Sequence, residues 1–455
     1  MTFFKKKTFR YFRWFLHDFI VKNSKTIFLS AFISTIVIVS SITVSPQIIQ
    51  LISSRNQIIG YDFSVRIDSL PEEINNKISN GLLFVNNKGE IYPLLASSWE
   101  KLNNGLTYRF HIKKDVLWND GTLFTVKDIS YKFKDVAVKR IGNYTIEYTL
   151  KKPFTNFPLY LTRPIIKYPY IGVGGLYSID RIKQKQGIVS EIHLASNRKD
   201  LSPILSRFFD NEAQMVSAYK LGTIHEMTLN KKNLADVFLT WSNTEVIKKT
   251  DYSRLFTLFF NYNNPLLKER ELRSGISSSI DRSKLESLGM IADTSISPLS
   301  WAYNNTIKQN TYDLELAQKI IYKYKTSTDS GKLNVSTYYE YLDVADLINS
   351  DLKSVGLSTN LNVISNSDSS DFDILLTYMK IPVDPDQYYY WHSSQNLANA
   401  LHYKNLKIDK FLEDARAIES MQERKQIYFD FQKVMNDDTT AVFLFYPYVY
   451  TIKRK

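Results

Sequence analysis

"KLNVSTYY" (residues 332–339), "DVADLINSDLKSV" (343–355), "STNLNVI" (358–364) and "FDILLTY" (372–378) follow one another with short breaks, and their order decides the fold class. The first alternates apolar and polar side chains, as a half-buried strand requires. In the second, apolar residues recur at helical spacing, and Gly356 stands where a helix C-terminal glycine belongs. The third and fourth read as strands again. A strand–helix–strand order implies parallel pairing with helices on the sheet faces, hence an α/β protein.

Working outward, "LTYRFHI" (106–112) and "YTIEYTL" (144–150) alternate in the same way. Near the C-terminus Ile408, Phe411, Leu412 and Ala415 share one helical face, and Ile427, Phe431, Val434 and Met435 share another. "AVFLFYPYVYTI" (441–452) closes the chain as a ring-rich strand. In "LWNDGTLFTVKDISYKF" (117–133), Asn119-Asp120-Gly121 is a turn signal. Thr125 fits a helix N-cap, and Asp128 adds negative charge in the first turn. A helix is therefore expected over "VKDISYKF". The stretch holds no nucleophile and reads as scaffold.

A chain of 455 residues should hold two or more lobes, since single cores stop growing near about 250–300 residues. With no cysteine there are no disulfides, no thiol nucleophile, no cysteine-ligated metal and no lipidated N-terminal cysteine. The formal charge of +12 is uneven. Residues 1–25 carry Lys5, Lys6, Lys7, Arg10, Arg13, Lys22 and Lys25 against Asp18 alone, half of that excess. The body is thus only mildly basic, which argues against a nucleic-acid partner.

From Thr26 to Ser45, "TIFLSAFISTIVIVSSITVS" contains no charge. At about 1.5 Å per residue it reaches roughly 30 Å, enough to span a bilayer's hydrocarbon core. A cleaved signal peptide is the rival, but Pro46 follows the best cleavage candidate, Thr43-Val44-Ser45. An uncleaved single-pass anchor is expected, with the basic N-terminus in the cytoplasm and the body outside the cell membrane. "FRYFRWFLHDF" (9–19) alternates rings and cations, as a segment lying on the inner membrane face does.

Enzyme readings find little support. His17, His111, His193, His225, His392 and His402 form no His-Glu-x-x-His pattern, and no Gly-x-Ser-x-Gly elbow exists. "GVGG" (172–175) lacks the Lys-Ser/Thr of a phosphate loop.

Residues 81–133 closely resemble the family 5 extracellular solute-binding proteins, the oligopeptide- and dipeptide-binding subunits of ABC importers. The matching residues are Gly81-Leu82-Leu83, then Pro93-Leu94, Ala96 and Ser98-Trp99-Glu100, then Trp118, Asp120-Gly121, Thr125 and Asp128. The likeness continues through "LFFNYNNPLLKERELRSGISSSIDRSKL" (258–285), "YDLELAQKII" (312–321), "FDILLTYMKIPVDPDQYY" (372–389) and residues 408–447, in family order. Two departures stand out. No lipidated cysteine is present. Where the peptide binders place an Asp just before the Asp-Pro-Asp loop, to pair with the peptide ammonium, this chain has Lys380-Ile381-Pro382-Val383. The family's Gly-Thr-Gly-Pro-Tyr loop is matched only in part, by Gly172 to Tyr177.

The resemblance implies a two-lobed clamshell without enzymatic activity or cofactor. It captures an oligopeptide or other small solute for an ABC permease and its ATPase. Residues 1–25 would be the cytoplasmic segment and 26–45 the anchor. Residues 56–80, 170–255 and 436–455 would form lobe I, 81–169 an extra subdomain and 256–435 lobe II. The implied ligand contacts are Arg66, Asp68, Lys380, Asp384, Asp386, Tyr388, Trp391 and Tyr446, with no resident metal. A sensor or surface binding module on the same fold, with non-peptide cargo such as a metal chelate held through His392 or His402, is the alternative.

Overall fold

The computed structural model describes residues 57–86, 89–325, 332–365 and 372–455, with most positions between 14 and 35. Its central unit follows the expected order. Strands Leu333–Thr337 and Thr359–Val363 pair in parallel and are joined by helix Leu342–Ser354. Strand Ile374–Lys380 lies parallel to the first on its other side. Gly356 takes φ 86°, a left-handed turn that glycine enters without steric cost, and so releases the chain from the helix.

Strand Arg254–Phe260 pairs antiparallel with Ile374–Lys380 and hands the sheet to the final strand, Ala441–Arg454. That strand was expected to belong whole to lobe I. Instead its first residues pair with Arg254–Phe260, while Tyr448–Arg454 pairs with Thr244–Thr250 and, through residues 450–453, with Glu226–Leu229 on its other side. Fourteen residues at about 3.3 Å rise span roughly 45 Å, long enough to serve both halves. The sheet continues through Gln57–Tyr61, Ile204–Phe208 and Ile188–Ser196.

Strand periodicity separates two cores in the second half. Leu258 and Leu444 point into a cluster with Ile276, Val335 and Leu352. Their neighbours Phe259 and Phe443 point the other way, onto Trp391, Leu412 and Phe431.

The extra subdomain is a four-stranded antiparallel sheet, Ala96–Leu102, Thr107–Ile112, Thr145–Leu150 and Val136–Ile141. It has its own core of Phe110, Trp118, Phe124, Ile146, Tyr148 and Phe157. The Thr125–Asp128 capping box forms, but the expected helix over 126–133 does not; only the single 3-10 turn Val126–Asp128 is present. Arg140 explains the stop. Its guanidinium donates to the carbonyls of Val126 and Ile129 at 3.0 and 3.1 Å, acceptors that a continuing helix would need. Beyond the turn, Tyr131 and Phe133 stack at 6.1 Å and feed the subdomain core.

The "GVGG" segment is a crossing of two backbones. A Cβ on Gly172 would sit 1.8 Å from the Ile78 carbonyl oxygen, and one on Gly175 would sit 2.2 Å from it. Val173 bridges to Trp118 and Gly174 to Ser79.

Among the described residues no helix is long and apolar enough to cross a membrane. Residues 36–45, the second half of the expected anchor, lie outside the described residues. The described positions from Trp14 to Thr35 are helical except at Asn23, and Trp14, Phe15, Phe19, Phe28, Phe32 and Ile33 are exposed.

Candidate functional site

Three neighbouring parallel strands end at one cavity. Leu333–Thr337 runs into Tyr338–Tyr341, Thr359–Val363 into Ile364 and Ser365, and Ile374–Lys380 ends there itself. The cavity measures about 640 Å³, and Tyr390 completes its wall. Carboxyl ends of parallel strands are where open α/β sheets place ligands, because the connecting loops diverge there and leave a crevice.

The wall is made of rings held by one another. Tyr341 meets Phe256 edge-on at 5.1 Å and Tyr378 at 5.9 Å. Burial, helped by the Tyr378 hydroxyl, pushes the Tyr341 hydroxyl up to about 12, so it stays a neutral donor at physiological pH. The Tyr390 hydroxyl donates to the Lys380 carbonyl at 2.7 Å and pins the strand end. The Lys380 side chain is exposed at the cavity and, among the described residues, forms no ion pair.

Around this cavity the two halves of the sheet touch. Arg254, cross-strand partner of Lys380, is held by Asp251 at 2.6 Å and by Asn230 of the first half at 2.9 Å. Lys231 reaches Asp343 across the halves at 3.5 Å. Asp62, just after strand Gln57–Tyr61, has its carboxyl pushed up by burial, with Arg254 opposing. Glu212 is raised by burial and then by Asp62, so these two acids are neighbours in the first half.

The other expected contacts fall elsewhere. Asp384 is buried and fully engaged. It accepts from Asn156 Nδ2 at 2.7 Å and the Asp386 amide at 3.0 Å, and both of its oxygens accept from Arg424 Nη2 at 3.1 Å. Burial pushes its carboxyl up, and Arg424 opposes that shift. Asp386 pairs with Arg416 at 2.8 Å, and that guanidinium lies 3.7 Å over the Tyr388 ring and 4.8 Å over Phe154. Tyr388 in turn stacks on His392 at 4.1 Å. The Asp-Pro-Asp loop therefore fastens the subdomain, through Asn156 and Phe154, to the two C-terminal helices Leu406–Ala417 and Met421–Asp437.

Trp391 is fully buried against Phe259, Tyr403 and Phe443, with its indole N–H donated to Gln387 Oε1 at 3.1 Å. Tyr446 is buried in the same core, 5.3 Å from Tyr252. Arg66 and Asp68 pair with each other at 3.2 Å on the surface. His402 bonds to Asn261. Of the expected residues only Lys380 lines the cavity. Sequence reasoning missed Tyr338, Tyr341, Tyr378 and Tyr390. The signal was present: "TYYEY" (337–341) puts a cluster of rings immediately after a parallel strand.

An α/β sheet in two halves, with an antiparallel subdomain and a solute-sized cavity at its strand ends, is the architecture of a periplasmic-binding-type receptor. The chain belongs to the bacterial extracellular solute-binding proteins of family 5, whose middle region matches residues 90–399. It is 22% identical to the oligopeptide-binding protein AppA of Bacillus subtilis, over 84% of this chain and 82% of that one. It is also 22% identical to a probable D,D-dipeptide-binding periplasmic protein, DdpA of Escherichia coli, over 77% and 78%. Two solved structures share the fold. NikZ from Campylobacter jejuni, in complex with Ni(L-His), superposes with a TM-score of 0.74 at 21% identity, over 88% of this chain and 94% of that one. Bacillus subtilis AppA in complex with a nonapeptide gives 0.72 at 21%, with the same coverage.

Proposed function

We propose that this protein is a membrane-tethered, extracytoplasmic receptor that captures peptide-like solutes between its two lobes and delivers them to an ABC importer. The observation that carries the reading is the tyrosine-lined cavity where three parallel strands end beside the contact between the two halves. Rings and main-chain groups bind an extended peptide without demanding one side-chain sequence. The relatives named as peptide-binding proteins point to the same cargo class. Binding would favour the closed form by the ligand's differential affinity for it, with no chemical step. The exposed rings between Trp14 and Phe32 support a tether that continues through residues 26–45. Such a tether raises the receptor's local concentration at the permease.

Native mass spectrometry of the protein purified from a peptide-rich lysate tests the cargo. A spread of peptide masses on the folded protein is expected. One discrete non-peptide mass, such as a metal chelate, would keep the receptor and overturn the cargo.

A further inference from the structure

Lys380 is the cation of a cavity otherwise rich in neutral donors. Its ammonium carries three N–H donors, and Tyr338, Tyr341 and Tyr378 line the same cavity. The acid in that wall is Glu340, which is exposed. The neighbouring Arg254 is already neutralised by Asp251 at 2.6 Å, so the charge Lys380 presents is not matched within its own ladder. The engaged carbonyl of Lys380, bonded by Tyr390, fixes the stem from which the side chain projects. The half-buried acids Asp62 and Glu212 belong to the other half of the sheet and do not line the cavity.

We propose that the Lys380 cavity takes the carboxylate of the bound cargo, so that the ligand is held acid end toward the second half of the sheet. The assignment deepens the receptor reading and rests on it for the location of the site. A carboxylate has about four lone-pair sites to fill, which a lysine and several tyrosine hydroxyls supply together. An ammonium group beside Lys380 would meet a like charge. Peptides with a free C-terminus, or other organic acids, therefore fit this wall, and cargo with a blocked carboxyl does not.

The test uses immobilised full-length protein and a random-sequence peptide pool, one half N-acetylated with free carboxyl ends and the other half C-amidated with free amines. Retained peptides are quantified by mass spectrometry. The acetylated half should be retained about tenfold more strongly, the size of one charge-assisted hydrogen bond. Lys380→Met should abolish that bias and Lys380→Arg should keep it; the side chain is exposed, so neither change disturbs a core. Equal retention of the two halves, or a bias that survives Lys380→Met, would overturn the carboxylate assignment while leaving peptide capture intact. If no peptide is retained but succinate binds in a Lys380-dependent way, the assignment stands and the peptide reading falls. Retention of neither sinks both.

Discussion

Arg424 shows how a residue in a ligand-suggestive loop region serves the frame. Its guanidinium is bonded to both oxygens of Asp384 and to the Ala415 carbonyl, and its face lies 5.1 Å from the Trp301 ring. Side-chain exposures of 8% and 10% mean that losing one partner strands a buried charge. Arg424→Met should lower stability by about 3–5 kcal/mol, measured as a shift in urea midpoint. The double change with Asp384→Asn should recover most of that loss, since the stranded charge is then gone. A single-variant midpoint equal to that of the parent would show that the pair is solvated. This residue scale is where the sequence was least legible. Asp384 and Trp391 lie close in sequence to Tyr390 of the cavity wall, but nothing in their spacing says that Arg424, forty residues from Asp384, or the Phe259 ring fills their contacts. Lys380 was singled out because it stands near where the peptide binders carry an Asp, and it lines the cavity.

Elements were legible where periodicity is long and obscure where one distant side chain intervenes. Helix Leu342–Ser354 keeps its apolar stripe over thirteen residues and ends at a glycine, so pattern and structure agree. The turn at Val126–Asp128 had a complete N-cap and still stopped, because Arg140 from the next strand takes its carbonyls. The glycines at 172–175 carry the same lesson. Their composition only echoes a phosphate loop, without its Lys-Ser/Thr, and the need is a backbone crossing. Gly172→Ala should cost about 3 kcal/mol or more, since neither the new Cβ nor the Ile78 carbonyl has room to yield. Gly187→Ala, with φ 80° and nothing within 4 Å, should lose only about 1 kcal/mol through backbone conformation. Similar denaturant midpoints for the two variants would refute the crossing as the cause.

At the scale of the whole molecule, the order of segments along the chain made the two-lobed receptor legible, and the family match over residues 90–399 agrees with it. Where the lobes divide was less legible, since a strand reads alike whether it serves one sheet half or two. The exposed rings between residues 14 and 35 predict that removing residues 1–45 leaves a soluble protein with unchanged ligand affinity. Sedimentation and binding of that fragment check this. An aggregated or non-binding fragment would show that the segment supports the fold.

The final strand has one more consequence, and it concerns time rather than space. Ala441–Arg454 supplies an edge to sheet partners in both halves, yet it is made after all of them. A chain emerging from its N-terminus can fold the subdomain sheet early, because its four strands between residues 96 and 150 pair only with one another. The two halves must wait together, each with an unpaired edge open to wrong partners, until these fourteen residues arrive and zip them at one stroke.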